Sequence, residues 1–198
     1  MRVAGIESMI VEVPLKEPVT GVHGVTTVQQ SVLVHVTSDE GVEGWGDVDP
    51  TPGYTLESVD DIAADAARLA KALRGIDPFN IQRALAVMDE ASAEAFEAKA
   101  AIEMALFDLK GKALGVPVHS LLGGRLIDEV SLNAWIGAVP PAQAAHEAEV
   151  WLGRGFTSAK IKVSGAGAEG IDRVAAVRAA VGSRMALRVD FNESLPPG

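Results

Sequence analysis

Two short strings hold residue types that could do chemistry together. Lys160-Ile161-Lys162 lies in the run Thr157 to Val163, and Asp190-Phe191-Asn192 ends the run that starts at Met185. Both runs are apolar and short enough to read as strands. Residues two apart on a strand share a face, so Lys160 and Lys162 point one way while Ile161 and Val163 point the other. By the same alternation Arg188, Asp190 and Asn192 form one row, and Leu187, Val189 and Phe191 the opposite row. Two ammonium groups on an inward face are costly unless an anion lies between them. Their repulsion also favours proton loss from one of them, which a lysine base needs. Asp190 offers the hard oxygen that a divalent cation takes, with Asn192 as a polar orienter. A cation clamped to a substrate carboxylate makes the neighbouring C–H more acidic, because it stabilises the enediolate left by deprotonation. The plainer readings are solvated lysines on an edge strand, and a strand-terminal Asp and Asn that make turn hydrogen bonds.

Lys110-Gly111-Lys112 repeats the spacing and serves as an internal control. It falls at the end of a predicted helix running from about Ala91 to Leu114, where positions i and i+2 diverge. The Lys-x-Lys string therefore means little by itself; its place at the C-terminal end of a strand makes it informative.

The elements around the two strings set that place. Val130 to Ile136, Thr157 to Val163 and Met185 to Phe191 read as strands, with Leu132, Ala159 and Leu187 in equivalent positions. Pro141 to Arg154 and Glu169 to Val181 read as the helices between them, stopped by Gly155 and Gly182. A β-α-β-α-β series of this kind implies parallel strands. A closed (β/α)8 barrel takes ~250 residues, so the expectation is the first three strands of such a barrel. Earlier in the chain, Val3 to Val13, Ser31 to Thr37 and Val42 to Asp47 read as an antiparallel meander with loops at Pro14 to Thr27 and Val48 to Tyr54. A helix follows on Leu56, Val59, Ile62, Ala66, Leu69 and Leu73, with Ser58 and Asp61 as a capping box, and Pro78 opens another. The fold class expected is an α+β capping domain, residues 1–125, followed by a partial (β/α) barrel, residues 126–198.

Composition narrows the partners. A formal net charge of -10 argues against a nucleic-acid or anionic-membrane surface but leaves room for a local positive cluster that takes a small anion. With no cysteine, disulfides and thiolate metal sites are excluded. No apolar stretch reaches the ~18 residues of a membrane span, and the first residues lack a secretory pattern, so a cytoplasmic protein is expected. His119 and His146 show no metal-ligand spacing.

Taken in order, Gly44-Trp45-Gly46-Asp47, the run Ala101-Ile102-Glu103-Met104-Ala105-Leu106-Phe107-Asp108-Leu109-Lys110-Gly111-Lys112, Val116-Pro117-Val118 to Leu121-Leu122-Gly123-Gly124, the lysine pair and Arg188-Val189-Asp190-Phe191-Asn192 resemble the muconate-lactonizing subgroup of the enolase superfamily over essentially the whole chain. Such sites pair a lysine or histidine base with magnesium. The resemblance implies Lys162 as acid/base catalyst. It makes Lys160 the group that neutralises the substrate carboxylate and eases proton loss from Lys162. Asp190 becomes the first of three ligands to Mg2+ or Mn2+, the other two and a second lysine coming from later strands. It also implies loops over the barrel mouth that choose the substrate, with His23 and Tyr54 as candidates, and a homo-oligomer. Trp135, at the end of the first barrel strand, either lines the pocket or packs; Trp45 reads as core.

The activity expected is abstraction of a proton next to a carboxylate, as a racemase, an epimerase or a cycloisomerase acting on a small carboxylate. The present segment is expected to be inactive by itself. A dehydratase shares the first step. A non-catalytic protein that reuses the fold is the reading from another class. A nucleotide-binding domain is a poor reading, because no phosphate-cradling glycine string follows a strand.

Overall fold

Close backbone approach, which only glycine permits, shapes the first part of the chain. The computed structural model describes residues 1–21, 24–51, 55–163, 168–192 and 194. Strands β1 (Val3–Gly21), β2 (Gly24–Ser38) and β3 (Glu43–Val48) form one sheet in the order β1-β2-β3. β2 and β3 are antiparallel, with Val32 opposite Val48 and Thr37 opposite Glu43. Helices α1 (Val59–Leu73), α2 (Ile81–Ala91), α3 (Phe96–Leu114) and the short α4 (Val118–Leu121) follow. A Cβ on Gly44 would lie 2.0 Å from the Ala105 carbonyl oxygen, and one on Gly46 would lie 2.1 Å from that of Ala101. α3 thus rests its alanine face directly on the backbone of β3. That contact is the physical reason for the Gly44-Trp45-Gly46 string. Val32, Val34 and Val36 of β2 meet Ile62, Leu69 and Leu73 of α1, Met88 of α2 and Ile102, Leu106 and Leu109 of α3 in one core.

The second half alternates strand and helix as the pattern demands. β4 (Ala134–Ile136), α5 (Pro141–Gly153), β5 (Ser158–Lys162), α6 (Ala168–Val181) and β6 (Ala186–Asp190) build a separate sheet in the order β4-β5-β6. All neighbours in it are parallel. Ala134, Ile136, Ala159, Ile161 and Val163 pack against Ala144, Ala148, Val177 and Val181. The apolar row of β4 and β5 therefore faces the helices, and the polar row faces away. The chain divides into two units, one of Met1–Pro14 with Val28–Leu126, the other of Leu15–Thr27 with Ile127–Gly198. Among the described residues no helix is long and apolar enough to cross a membrane.

Several boundaries differ from the sequence reading. The loop expected at Pro14 to Thr27 is largely strand, because β1 runs to Gly21 and β2 starts at Gly24. β1 is an edge strand, and an edge tolerates Pro14 and Pro18, whose missing N–H groups need no ladder partner. The first barrel strand is shorter than Val130 to Ile136: its ladder starts with Ala134 opposite Ala159, and β5 itself begins at Ser158. Leu132 is consequently exposed, and the position equivalent to Ala159 is Ala134. Leu56 stands outside α1, fully exposed, because Ser58 caps the helix through the predicted box with Asp61. The long helix starts at Phe96 and not near Ala91, since Ser92 is extended and Ala95 takes a left-handed φ of 61°. Trp45 is 42% exposed and stacks on His35 with centroids 4.2 Å apart, so it is not a core residue.

Candidate active site

Parallel pairing of β5 with β6 brings the two strings together. The ladder sets Lys160 opposite Arg188 and Lys162 opposite Asp190. Lys160 Nζ lies 3.2 Å and Lys162 Nζ 2.8 Å from the same atom, Asp190 Oδ2. Lys162 Nζ also donates to Asn192 Oδ1 at 2.7 Å. Asn192 can reach back because its backbone turns left-handed, with φ 47°, directly after the strand. The same turn lets its N–H donate to Asp190 Oδ1 at 3.1 Å. Lys162 has two acceptors and a side chain only 13% exposed, against 32% for Lys160, so it is the more firmly held of the pair.

The electrostatics follow from that arrangement. The ammonium of Lys162, the N–H of Asn192 and the ammonium of Lys160 hold the Asp190 carboxyl down at about 2, despite partial burial. Asp190 is therefore the anion that the paired lysines require. Lys160, Lys162 and Asp190 thus meet at the C-terminal end of the β5–β6 pair.

Trp135 shares the register row of Lys160 and Arg188, so it stands on the polar face of the sheet beside the lysine pair. His23 and Tyr54 lie outside the described residues. The control string behaves as expected: Lys110 donates to the Phe79 carbonyl at 3.0 Å, while Lys112 pairs with Asp108 at 2.6 Å. Asp108 also accepts the Trp45 N–H at 2.9 Å, a structural use. Sequence reasoning missed Arg173. It is buried in α6 and donates to the carbonyl of Lys162 at 2.9 Å. The signal was a charge on the helix face otherwise marked by Gly170, Val177 and Val181.

Asp190 supplies one carboxylate oxygen pair of the kind a hard cation takes. Among the described residues, no three His, Cys, Asp or Glu side chains are grouped so as to hold a metal. Mg2+ favours octahedral oxygen ligation, so the described residues do not by themselves make a magnesium site.

Comparison with known proteins follows the same division of the chain. Residues 5–123 match the mandelate racemase / muconate lactonizing enzyme N-terminal domain, and residues 143–197 match the enolase C-terminal domain-like description. The chain belongs to the mandelate racemase / muconate lactonizing enzyme family of the enolase superfamily. Within that family it is 33% identical to the N-succinyl-L-Arg/Lys racemase of Bacillus cereus, covering 98% of this chain and 53% of the racemase. It is 34% identical to the hydrophobic dipeptide epimerase of Enterococcus faecalis, covering 100% of this chain and 55% of the epimerase. A crystal structure of the Enterococcus faecalis dipeptide epimerase, complexed with Mg and the dipeptide L-Leu-L-Tyr, superposes with a TM-score of 0.93 at 32% identity, over 98% of this chain and 55% of that one. Other family relatives are cycloisomerases and dehydratases. The chain spans about half the length of these curated relatives. The fold class read from the sequence, an α+β domain followed by the opening strands of a barrel, holds.

Proposed function

We propose that this chain supplies the capping domain, residues 1–125, and the first barrel strands, residues 126–198, of an enzyme that abstracts a proton next to a carboxylate. The carrying observation is the meeting of Lys160 and Lys162 on Asp190 Oδ2, at 3.2 and 2.8 Å. Lys162, once neutral, accepts the α-proton: the C–H bond breaks, an N–H bond forms, and the electron pair passes into the carboxylate as an enediolate. Lys160 faces the substrate carboxylate and offsets its charge. A bound Mg2+ or Mn2+ would stabilise the enediolate charge, with Asp190 as one of its ligands and the others from outside the described residues. Asn192 holds Lys162 in place and contacts substrate, and Trp135, in the register row of Lys160, contacts it from β4.

Racemization or epimerization is favoured over cycloisomerization and dehydration. Support comes from the solved racemase and dipeptide epimerases, which superpose with a TM-score of 0.93 over 98% of this chain. The substrate class proposed is a small carboxylate of the N-acyl amino acid or dipeptide kind. The complete enzyme is proposed to be a cytoplasmic homo-oligomer, and the 198-residue chain alone to turn nothing over.

The test uses α-proton exchange in D2O, followed by NMR, on a panel of dipeptides and N-acyl amino acids with Mg2+ present. Two proteins are compared: this chain, and a chimera joining it to the second half of the Enterococcus faecalis dipeptide epimerase. Exchange by the chimera and none by the chain alone is expected. Turnover by the isolated chain would refute its proposed inactivity. A folded, Mg2+-binding chimera that exchanges no α-proton would refute the assignment of the lysine pair.

A further inference from the structure

Among the described residues only Lys99 and Arg173 are charged and buried. Lys99 is accounted for by its ion pair with Asp89 at 2.6 Å. Arg173 occupies a position in α6 that faces the sheet, in series with Gly170, Val177 and Val181, where an apolar side chain would pack at no desolvation cost. Each of its three guanidinium nitrogens donates a hydrogen bond. Nε donates to the carbonyl of Val139, in the segment between β4 and α5. One terminal nitrogen donates to the carbonyl of Lys162 at 2.9 Å, the other to Glu169 Oε1 at 3.0 Å.

Strand geometry explains why the Lys162 carbonyl needs this partner. Val163 N–H donates to the Asp190 carbonyl, so it points toward β6. The C=O and N–H of one trans peptide point opposite ways, which turns the Lys162 carbonyl toward β4. The β4–β5 ladder has already ended there, with Ile136 opposite Ile161. A buried carbonyl without a partner is costly, and Arg173 fills the place that a longer β4 would have filled. A second contact indexes the same spot: a Cβ on Gly170 would lie 2.5 Å from Val163 Cγ1, so α6 sits hard against the residue after Lys162.

We propose that Arg173 is a positioning residue for Lys162: by bridging the carbonyls of Val139 and Lys162 across the gap left by the short β4, it fixes the backbone from which the Lys162 ammonium reaches Asp190 and Asn192. Its catalytic meaning rests on the reading of Lys162 as the base, but its structural content does not. A planar fork with several donors can make this bridge; a lysine ammonium on a flexible stem cannot reproduce it.

The test is made on the 198-residue chain with 15N-labelled lysine, following ammonium proton exchange by 1H–15N NMR. Lys162, with acceptors at 2.8 and 2.7 Å, is the reporter, and Lys99 is the control. In Arg173→Met, with circular dichroism unchanged, Lys162 ammonium exchange is expected to accelerate about tenfold or more, the worth of about one hydrogen bond, with Lys99 unaffected. If Arg173→Met does not fold, Arg173→Lys keeps the charge and stem, and the same acceleration is expected there. A folded variant whose Lys162 exchange equals the parent's would overturn the proposal, leaving Arg173 as packing alone. Failure of the chimera to exchange α-protons, with the Lys162 reporter still dependent on Arg173, would sink the functional reading and leave the positioning role standing.

Discussion

The protein contains the same three-residue spacing twice, and the two copies behave differently. Lys110 and Lys112, on α3, part company: one reaches the Phe79 carbonyl at 3.0 Å and the other Asp108 at 2.6 Å. Lys160 and Lys162, on β5, converge on a single oxygen of Asp190. The difference is the period of the element. A helix turns about 100° per residue and separates i from i+2, whereas a strand returns to the same face every second residue. Chemistry thus resides in the string together with its element, and in the neighbouring strand that brings an anion to it.

The comparison is sharpened most by removing one lysine from each copy. In the chimera, Lys162→Met is expected to lower α-proton exchange by about 10²–10⁴-fold, the usual worth of a positioned acid/base group, while Lys112→Met leaves it unchanged. Equal losses would erase the distinction. The helix that separates the first pair depends on its seat against β3. Gly44→Ala, which puts a Cβ 2.0 Å from the Ala105 carbonyl, is expected to lower unfolding free energy by about 3 kcal/mol in denaturant titration.

Acid titration tests the anion in the second copy. The Asp190 carboxyl sits at about 2, below its ordinary value of 3.8. Its contribution to stability is therefore present above about 3.8 and is lost as pH falls through about 2. Asp190→Asn is expected to be less stable than the parent at pH 6, with the gap closing below pH 3; parallel pH–stability curves would show that the carboxylate carries no such coupling.

A smaller effect comes from a like-charged pair, Glu57 and Glu97. Glu57 is raised to about 7, first by its hydrogen bond with Glu97, then by burial and by Asp65. Where the lysines share an anion, Glu57 meets a second carboxyl and keeps its own proton to higher pH. Protonated Glu57 adds stability below its ordinary value of 4.5, and that stability fades as pH rises through about 7. Glu57→Gln keeps a donor and is expected to be the more stable form at pH 8 and equal to the parent near pH 4, measured by thermal melting at both pH values.

The chemistry-bearing rows were legible because alternation on a strand needs no tertiary information. Lys160, Lys162 and Asp190 could be assigned to one face from spacing alone. The capping of α1 was legible for the same reason, since Ser58 and Asp61 are local. What escaped depended on partners distant in sequence. The length of β4 is set by where β5 begins, and Pro14 and Pro18 sit within β1 only because that strand is an edge. Trp45 read as core, but the glycines on either side of it lie against α3 and leave its ring stacked on His35. The part played by Arg173 required knowing that the Lys162 carbonyl had lost its strand partner.

Everything turns on one carboxylate oxygen gathering two ammonium groups from alternate positions of β5. A crystal structure of the chain at neutral pH measures this directly. Nζ of both Lys160 and Lys162 is expected within about 3.5 Å of Asp190 Oδ2, hydrogen-bond and ion-pair range, with Asn192 Oδ1 beside Lys162. Lysine side chains that diverge from Asp190, with β5 and β6 still paired, would contradict the account.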